Sequence, residues 1–497
     1  MKRFTFLAIT LACSLNALAV PPANFDQRVE SLRKQIGVPG ISISIVEDDK
    51  VTFAKGFGVR KLGSPELVDA DTIFPNGSTG KAFTVADLAI LVDQGKLSWD
   101  DKVIDRLPGF QMYDSWVTRE MTVRDLLVHR SGLGLGAGDL LFVPRTSLSR
   151  AESVKRLRYI KPATSFRSGY AYDNILYMVN STSDEDKRFA TANRAYPHAR
   201  MNGGLRGTGT QEVLDERDEL GRNAAPAGGL AISANDFARW LRIQLGGGKL
   251  VDSDAHLFST AARDEMWTPR TIMPVSPRPG PIAATTPNFD LYALGWDVRD
   301  YRGVKLISHG GAVFGFQTFV ALIPDKHVGF SMTINSEDGE ILVGLAFELL
   351  DHYLDAPAQE WPEKFIAFKK SRIAAGLEAY KAKAAKPVKV GPSLALKNYV
   401  GTFADPWYGN IEIALNKAGK LTFDFKSTPN MGGTLEHWQY DSFTTKFNDK
   451  NIEPAYVNFA LDADGKVEKI TLKPVSPLAD FSYDYQDLLF TPVAEKK

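Results

Sequence analysis

The chain has 497 residues, and its 59 acidic side chains balance its 59 basic ones. A neutral chain lacks the basic surface that nucleic acid or an anionic membrane requires, so neither is expected as a partner. Its seven histidines are scattered without HExxH or another metal-ligand spacing, and it has no Walker or dinucleotide-binding glycine pattern, so no metal or cofactor is expected.

Residues 1–19 read as a secretory signal. Lys2 and Arg3 precede an apolar run over 4–15, and Ala17-Leu18-Ala19 places small residues at a cleavage site. The run is too short to span a bilayer, and no later segment is long and apolar enough to do so. A mature chain beginning near Val20, in the periplasm or outside the cell, is expected. The only cysteine, Cys13, falls within the signal, so no disulfide is expected.

Residues 25–36 form a charged amphipathic helix. Residues 40–46 alternate, 47–50 turn, and 51–59 return as a second strand. Phe74-Pro75-Asn76-Gly77-Ser78-Thr79-Gly80-Lys81 then turns into a helical pattern carried by Phe83, Ala86, Ala89 and Ile90 and stopped by Gly95. A spacing of three puts Ser78 and Lys81 on one helical face. Serine can act as a nucleophile and lysine as the base that takes its proton, with the helix N-terminus favouring a developing alkoxide. The spacing is not specific by itself: Ser31-Leu32-Arg33-Lys34 repeats it on the amphipathic helix.

A short helix is expected over 121–129 and a loop over 161–166. Tyr172-Asp173-Asn174 follows, where a phenol can relay a proton and an amide can orient a lysine or a substrate carbonyl. Tyr456-Val457-Asn458 has the same spacing in a strand-like run and reads as structural. Residues 226–248 hold a Gly-Gly turn, a capped start at Ser233 and a helix over 237–245. Residues 292–299, 316–323 and 328–334 read as strands, so one sheet is assembled from both ends of this region. Between them, His309-Gly310-Gly311-Ala312 lets a substrate approach a strand edge closely, and a backbone N–H there can face that of Ser78 across an acyl oxygen. A Lys- and Ala-rich helix spans 361–386. From about Leu394 short alternating strands separated by Asn416-Lys417-Ala418-Gly419 and Asp462-Ala463-Asp464-Gly465 turns make a small β-domain.

Ser-x-x-Lys, Tyr-x-Asn and His-Gly-Gly in this order resemble the serine β-lactamase and penicillin-binding-protein superfamily. The likeness is greatest to the class-C-like branch with its esterases, D-aminopeptidases and D-Ala-D-Ala carboxypeptidases. It runs over about 25–350, supported by the stretches 91–97, 122–133 and 226–230. The resemblance implies an α/β (α+β) fold: an antiparallel sheet flanked by helices plus an all-helical subdomain. It places a serine hydrolase domain at 22–360, a helical linker at 361–389 and a lipocalin-like β-barrel at 390–497. It implies that Ser78 is acylated, that Lys81 and Tyr172 share the base and acid work, and that Asn174 orients substrate and Lys81. His309, Gly310 and Gly311 then line the strand beside the substrate, and the N–H groups of Ser78 and Ala312 form the oxyanion hole.

Two departures qualify this. His309 stands where β-lactamases carry Lys, and Gly310 where they carry a hydroxyl. A mostly neutral imidazole is a poor partner for a carboxylate, which favours an ester, amide or peptide substrate over a β-lactam or D-Ala-D-Ala peptide. The helix begun at 175–179 also stops at once in the polar stretch 180–187, where the family pattern continues. A shortened wall behind Tyr172 is expected to expose apolar surface and lower stability, with Tyr172 open to misplacement, leaving a non-catalytic ligand-binding protein as the rival reading.

Overall fold

The computed structural model describes residues 21–180, 191–215, 222–384 and 388–494. The signal expected over 1–19 and the polar stretch 181–187 lie outside the described residues. The first of two bodies is built on an eight-stranded antiparallel sheet. Its spatial order is Lys50–Gly58, Gly40–Glu47, Val328–Ile334, Phe316–Ile323, Val304–Val313, Asp297–Tyr301, Asp290–Tyr292 and Thr271–Met273. The N-terminal hairpin thus joins the sheet through a strand from the far end of the domain, with Ile43 opposite Met332 and Ile45 opposite Phe330.

The alternation in Gly40–Glu47 sets both faces of this sheet. Ile41, Ile43 and Ile45 pack with Val29 and Leu32 of the helix Phe25–Ile36 and with Leu345 and Leu349 of the helix Glu340–Tyr353. Ser42 and Ser44 point to the other face, against the helix Ala234–Leu245. The buried hydroxyls of Ser44 and Ser331 satisfy each other at 2.7 Å. Ser233 caps that helix by accepting from the backbone N–H of Asp236, and Gly246 follows its last turn.

Local structure departs from the sequence reading in two places. The helix expected over 121–129 is a single 3₁₀ turn, Arg124–Leu127, and His129 has a left-handed φ of 54°. The run expected over 292–299 is two strands, because the chain swings at Gly295 (φ 74°) against the first turn of the helix Lys81–Asp93. A Cβ there would lie 3.1 Å from Ala82 Cα, so the break needs glycine. The structure also holds a hairpin, His198–Asn202 with Gly209–Val213, that no pattern in the sequence marked.

The helix Trp361–Ala384 leads to the second body, a closed barrel of eight antiparallel strands from Gly401–Asp405 to Leu489–Pro492. Its first and last strands pair at Phe403 and Pro492, leaving no open edge. The barrel is docked on the first body: Thr146 Oγ1 donates to Ser427 O at 2.7 Å and Arg206 Nη1 to Asn451 O at 2.8 Å. No helix among the described residues is long and apolar enough to cross a membrane.

Candidate active site

Ser78 lies in the 3₁₀ turn Gly77–Gly80 that runs into the helix Lys81–Asp93, so the spacing of three places both side chains on one side of the junction. Lys81 Nζ donates to Ser78 Oγ at 3.0 Å, to Asn174 Oδ1 at 2.7 Å and to Ala227 O at 2.9 Å. The lysine is fully buried, with Nζ 4.7 Å from the ring centre of Tyr172 and 5.1 Å from that of Tyr177. Burial brings its pKa down to about 7, against the opposing pull of Asp139 and Asp173. At neutral pH a large fraction is therefore the free amine that proton abstraction requires.

Tyr172 stands beside Ser78. Its phenol is pushed well above its ordinary range by burial, with the Ser78 hydroxyl pulling it slightly back. Its Oη is buried but makes no hydrogen bond of good geometry. The nearness is real and the alignment loose, as expected of an unliganded site. The ring is backed by His129, 4.2 Å away between centroids, and meets Phe481 edge-on at 6.0 Å and 81°. Ile175, Leu176, Tyr177 and Met178, which precede the shortened stretch, are wholly buried.

Asn174 is held at both ends, since its Nδ2 donates to Asp139 Oδ2 at 2.9 Å. His309 is buried on the strand Val304–Val313, where its Nδ1–H donates to Gly310 O and its Nε2 accepts from Tyr292 Oη at 2.9 Å. Burial and the nearby Lys81 push its pKa down to about 3, so the imidazole is neutral. Asp173 is pushed up to about 8 and His129 well below its usual value, both by burial. Their 3.2 Å contact joins two neutral groups at pH 7.

Two glycines bring the strand against the nucleophile turn. A Cβ on Gly77 (φ 54°) would meet Ala312 N at 2.6 Å, and one on Gly311 would meet Asn76 O at 2.1 Å and Ser78 N at 3.1 Å. The backbones of Ser78 and Ala312 are thereby neighbours at the mouth of a cavity of about 450 Å³. A Cβ on Gly310 would meet nothing, so the space where the family pattern has a hydroxyl is open. Of the site residues expected from the sequence, all except Lys81 line this cavity: Ser78, Tyr172, Asn174, His309, Gly310, Gly311 and Ala312.

The sequence reading missed several residues here. Asp297 and Tyr170 line the cavity, and so do Asp480, Phe481 and Ser482 from the barrel. Asp297 is pushed up to about 7, mainly by burial. Among the described residues, no lysine or arginine lines the cavity. His129 was legible only as part of the 122–133 stretch, and nothing near Asp139 marked it in the sequence. Among the described residues no cluster of three or more His, Cys, Asp or Glu side chains could hold a metal ion.

Known proteins resemble this chain over most of its length. The chain is 27% identical to an unguisins hydrolase of Aspergillus violaceofuscus over 85% of its own length and 82% of the relative's. It is 27% identical to penicillin-binding protein 4 of Amycolatopsis lactamdurans over 63% of this chain and 85% of that one. An octameric penicillin-binding protein homologue from Pyrococcus abyssi shares the fold, with a TM-score of 0.53 at 20% identity over 90% of this chain and 97% of the other. Residues 385–492 match a domain of unknown function, DUF3471. The Beta-lactamase family model matches residues 25–182 and 179–352, so the chain belongs to the Beta-lactamase family of serine hydrolases.

Proposed function

We propose that the protein cleaves ester or amide bonds through an acyl-enzyme on Ser78, with neutral or cationic substrates preferred. The observation that carries this is the 3.0 Å contact between Ser78 Oγ and a lysine whose pKa burial has brought to about 7. Neutral Lys81 takes the Ser78 proton as Oγ attacks the acyl carbon. The oxyanion that forms is held by the N–H groups of Ser78 and Ala312; one such donor is worth about 2.7–4 kcal/mol in comparable sites. Tyr172, protonated at neutral pH, hands its proton to the leaving alcohol or amine and is reprotonated from Lys81. Water then enters along the same path and releases the acid.

Charge supports the substrate class. Neutral His309 and the carboxylates of Asp297 and Asp480 offer little to a substrate carboxylate, which weighs against a β-lactam or D-Ala-D-Ala peptide. A second cavity of about 270 Å³ shares Ala312, Gln317, Asp480 and Ser482 with the first, so a substrate longer than a simple ester has room. The test is intact-protein mass after a fluorophosphonate probe, alongside p-nitrophenyl ester turnover. Wild type should gain one probe mass and Ser78→Ala none, with turnover lost. Unchanged turnover in Ser78→Ala refutes the proposal.

A further inference from the structure

The barrel does more than sit beside the hydrolase body. Its 480–484 segment, between the strands Val467–Pro474 and Leu489–Pro492, reaches into the catalytic centre. Ser482 Oγ donates to Asp139 Oδ2 at 2.9 Å. The same oxygen accepts from Asn174 Nδ2 at 2.9 Å, Asn174 Oδ1 accepts from Lys81 Nζ at 2.7 Å, and Nζ reaches Ser78 Oγ at 3.0 Å. Four consecutive hydrogen bonds thus lead from the barrel to the nucleophile.

The turn that carries Asp139 is held by the same segment. Asp484 Oδ2 accepts from Gly138 N at 2.7 Å and Oδ1 from Leu140 N at 3.2 Å, on either side of Asp139. Gly136 (φ 70°) leaves room for Phe481, whose carbonyl oxygen would lie 2.7 Å from a Cβ at that position. Phe481 then meets the Tyr172 ring, so both proton-handling residues are braced from the barrel side.

We infer that Ser482 is a positioning residue for the reaction and that the barrel segment 480–484 completes the catalytic centre by fixing Lys81 through Asp139 and Asn174. Asp139 Oδ1 has no partner, so the Ser482 hydroxyl and the Asn174 amide are the two side-chain donors that fix this buried group, both at Oδ2. Burial pushes Asp139 up to about 8, so it is mostly protonated at pH 7 and what Ser482 supplies is position rather than charge. Without that hydroxyl the Asp139 side chain is free to turn, Asn174 loses a fixed acceptor for its Nδ2, and Lys81 is held less well against Ser78.

The inference rests on Lys81 acting as the base, which probe labelling of Ser78 in the wild type tests separately. The experiment is the pH profile of p-nitrophenyl ester turnover in full-length Ser482→Ala and Ser482→Thr. In Ser482→Ala, kcat should fall about tenfold, as for loss of one buried hydrogen bond. KM should change less than kcat, and the acid limb should stay where it is in wild type, because Asp139 carries little charge at pH 7. Ser482→Thr keeps the hydroxyl and should restore kcat. Should Ser482→Ala fold poorly, Asp139→Ala tests the same link, because it removes the acceptor that Ser482 and Asn174 share. A kcat of Ser482→Ala or Asp139→Ala equal to that of a labelling-competent wild type overturns the inference. So does a threonine variant of normal melting temperature that does not restore kcat.

Discussion

The state of Lys81 makes the sharpest demand on the chemistry. An ordinary lysine titrates near 10.5, and burial between two phenol rings brings this one to about 7. That difference corresponds to roughly 5 kcal/mol against the ammonium form. Asp139 and Asp173 oppose the shift, but both are themselves pushed up to about 8, so each is mostly protonated at pH 7 and holds the ammonium weakly. If neutral Lys81 is the base, kcat/KM for a neutral ester should rise tenfold per pH unit and level off near pH 7. With a pKa near 7, the rate at pH 6 should be about a tenth of that at pH 8. His309, held near 3, cannot produce such a limb, but Asp297, also near 7, can. The assay is therefore run on wild type and Asp297→Asn together, from pH 5 to pH 9. A limb that vanishes in Asp297→Asn, or one that stays near pH 10, refutes the assignment to Lys81. Stability supplies a second reading. The folded-state pKa lies below the unfolded value, so the contribution of Lys81 is lost as pH falls from 10.5 towards 7. Lys81→Met removes that dependence, and its melting temperature should gain on wild type across the same window. The offset is set by Asn174 Oδ1 and Ala227 O, each left without a donor at about 1–3 kcal/mol.

Local signals carried much of this structure. The alternating isoleucines of Gly40–Glu47, the cap at Ser233 and the hairpin turns of the barrel are written in consecutive residues, and each forms as its pattern requires. Failures came where a distant contact overrides the local pattern. The 292–299 run has strand composition throughout, yet Gly295 breaks it because the nucleophile helix passes against it. The same distinction holds in the site. Ser78, Lys81, Tyr172, Asn174 and the His309 strand stood out because their spacing is set within single elements. Asp139, Asp297 and Ser482 are brought to the site only by the fold, and nothing in their flanking residues marks them. The support around Tyr172 is of the same kind. Its ring packs on His129 and on Phe481, the latter more than 300 positions further along the chain.

Two further expectations follow from geometry and charge. Gly310→Ala adds a Cβ that meets nothing, so probe labelling and melting temperature should stay close to wild type; Gly311→Ala drives its Cβ to 2.1 Å from Asn76 O and should abolish labelling by separating Ala312 from Ser78. Equal labelling of the two variants would show that the close approach of strand and turn is not needed. Asp297 bears on substrate choice. Its carboxylate belongs to a cavity lined, among the described residues, by no lysine or arginine, and it is ionised above about pH 7. Two unit charges ~6 Å apart at an effective dielectric of ~20 interact by about 3 kcal/mol, and partial protonation at neutral pH reduces this. Asp297→Asn should therefore lower kcat/KM for alanine p-nitroanilide, whose amine is free, about tenfold relative to its N-acetyl counterpart. N-Succinyl-alanine p-nitroanilide, which carries a carboxylate, should improve. The preference of wild type for the free amine should also be larger at pH 8 than at pH 6, because only the ionised carboxylate discriminates. A substrate ratio unchanged by the substitution, at both pH values, would mean that the cavity's charge does not select its substrate.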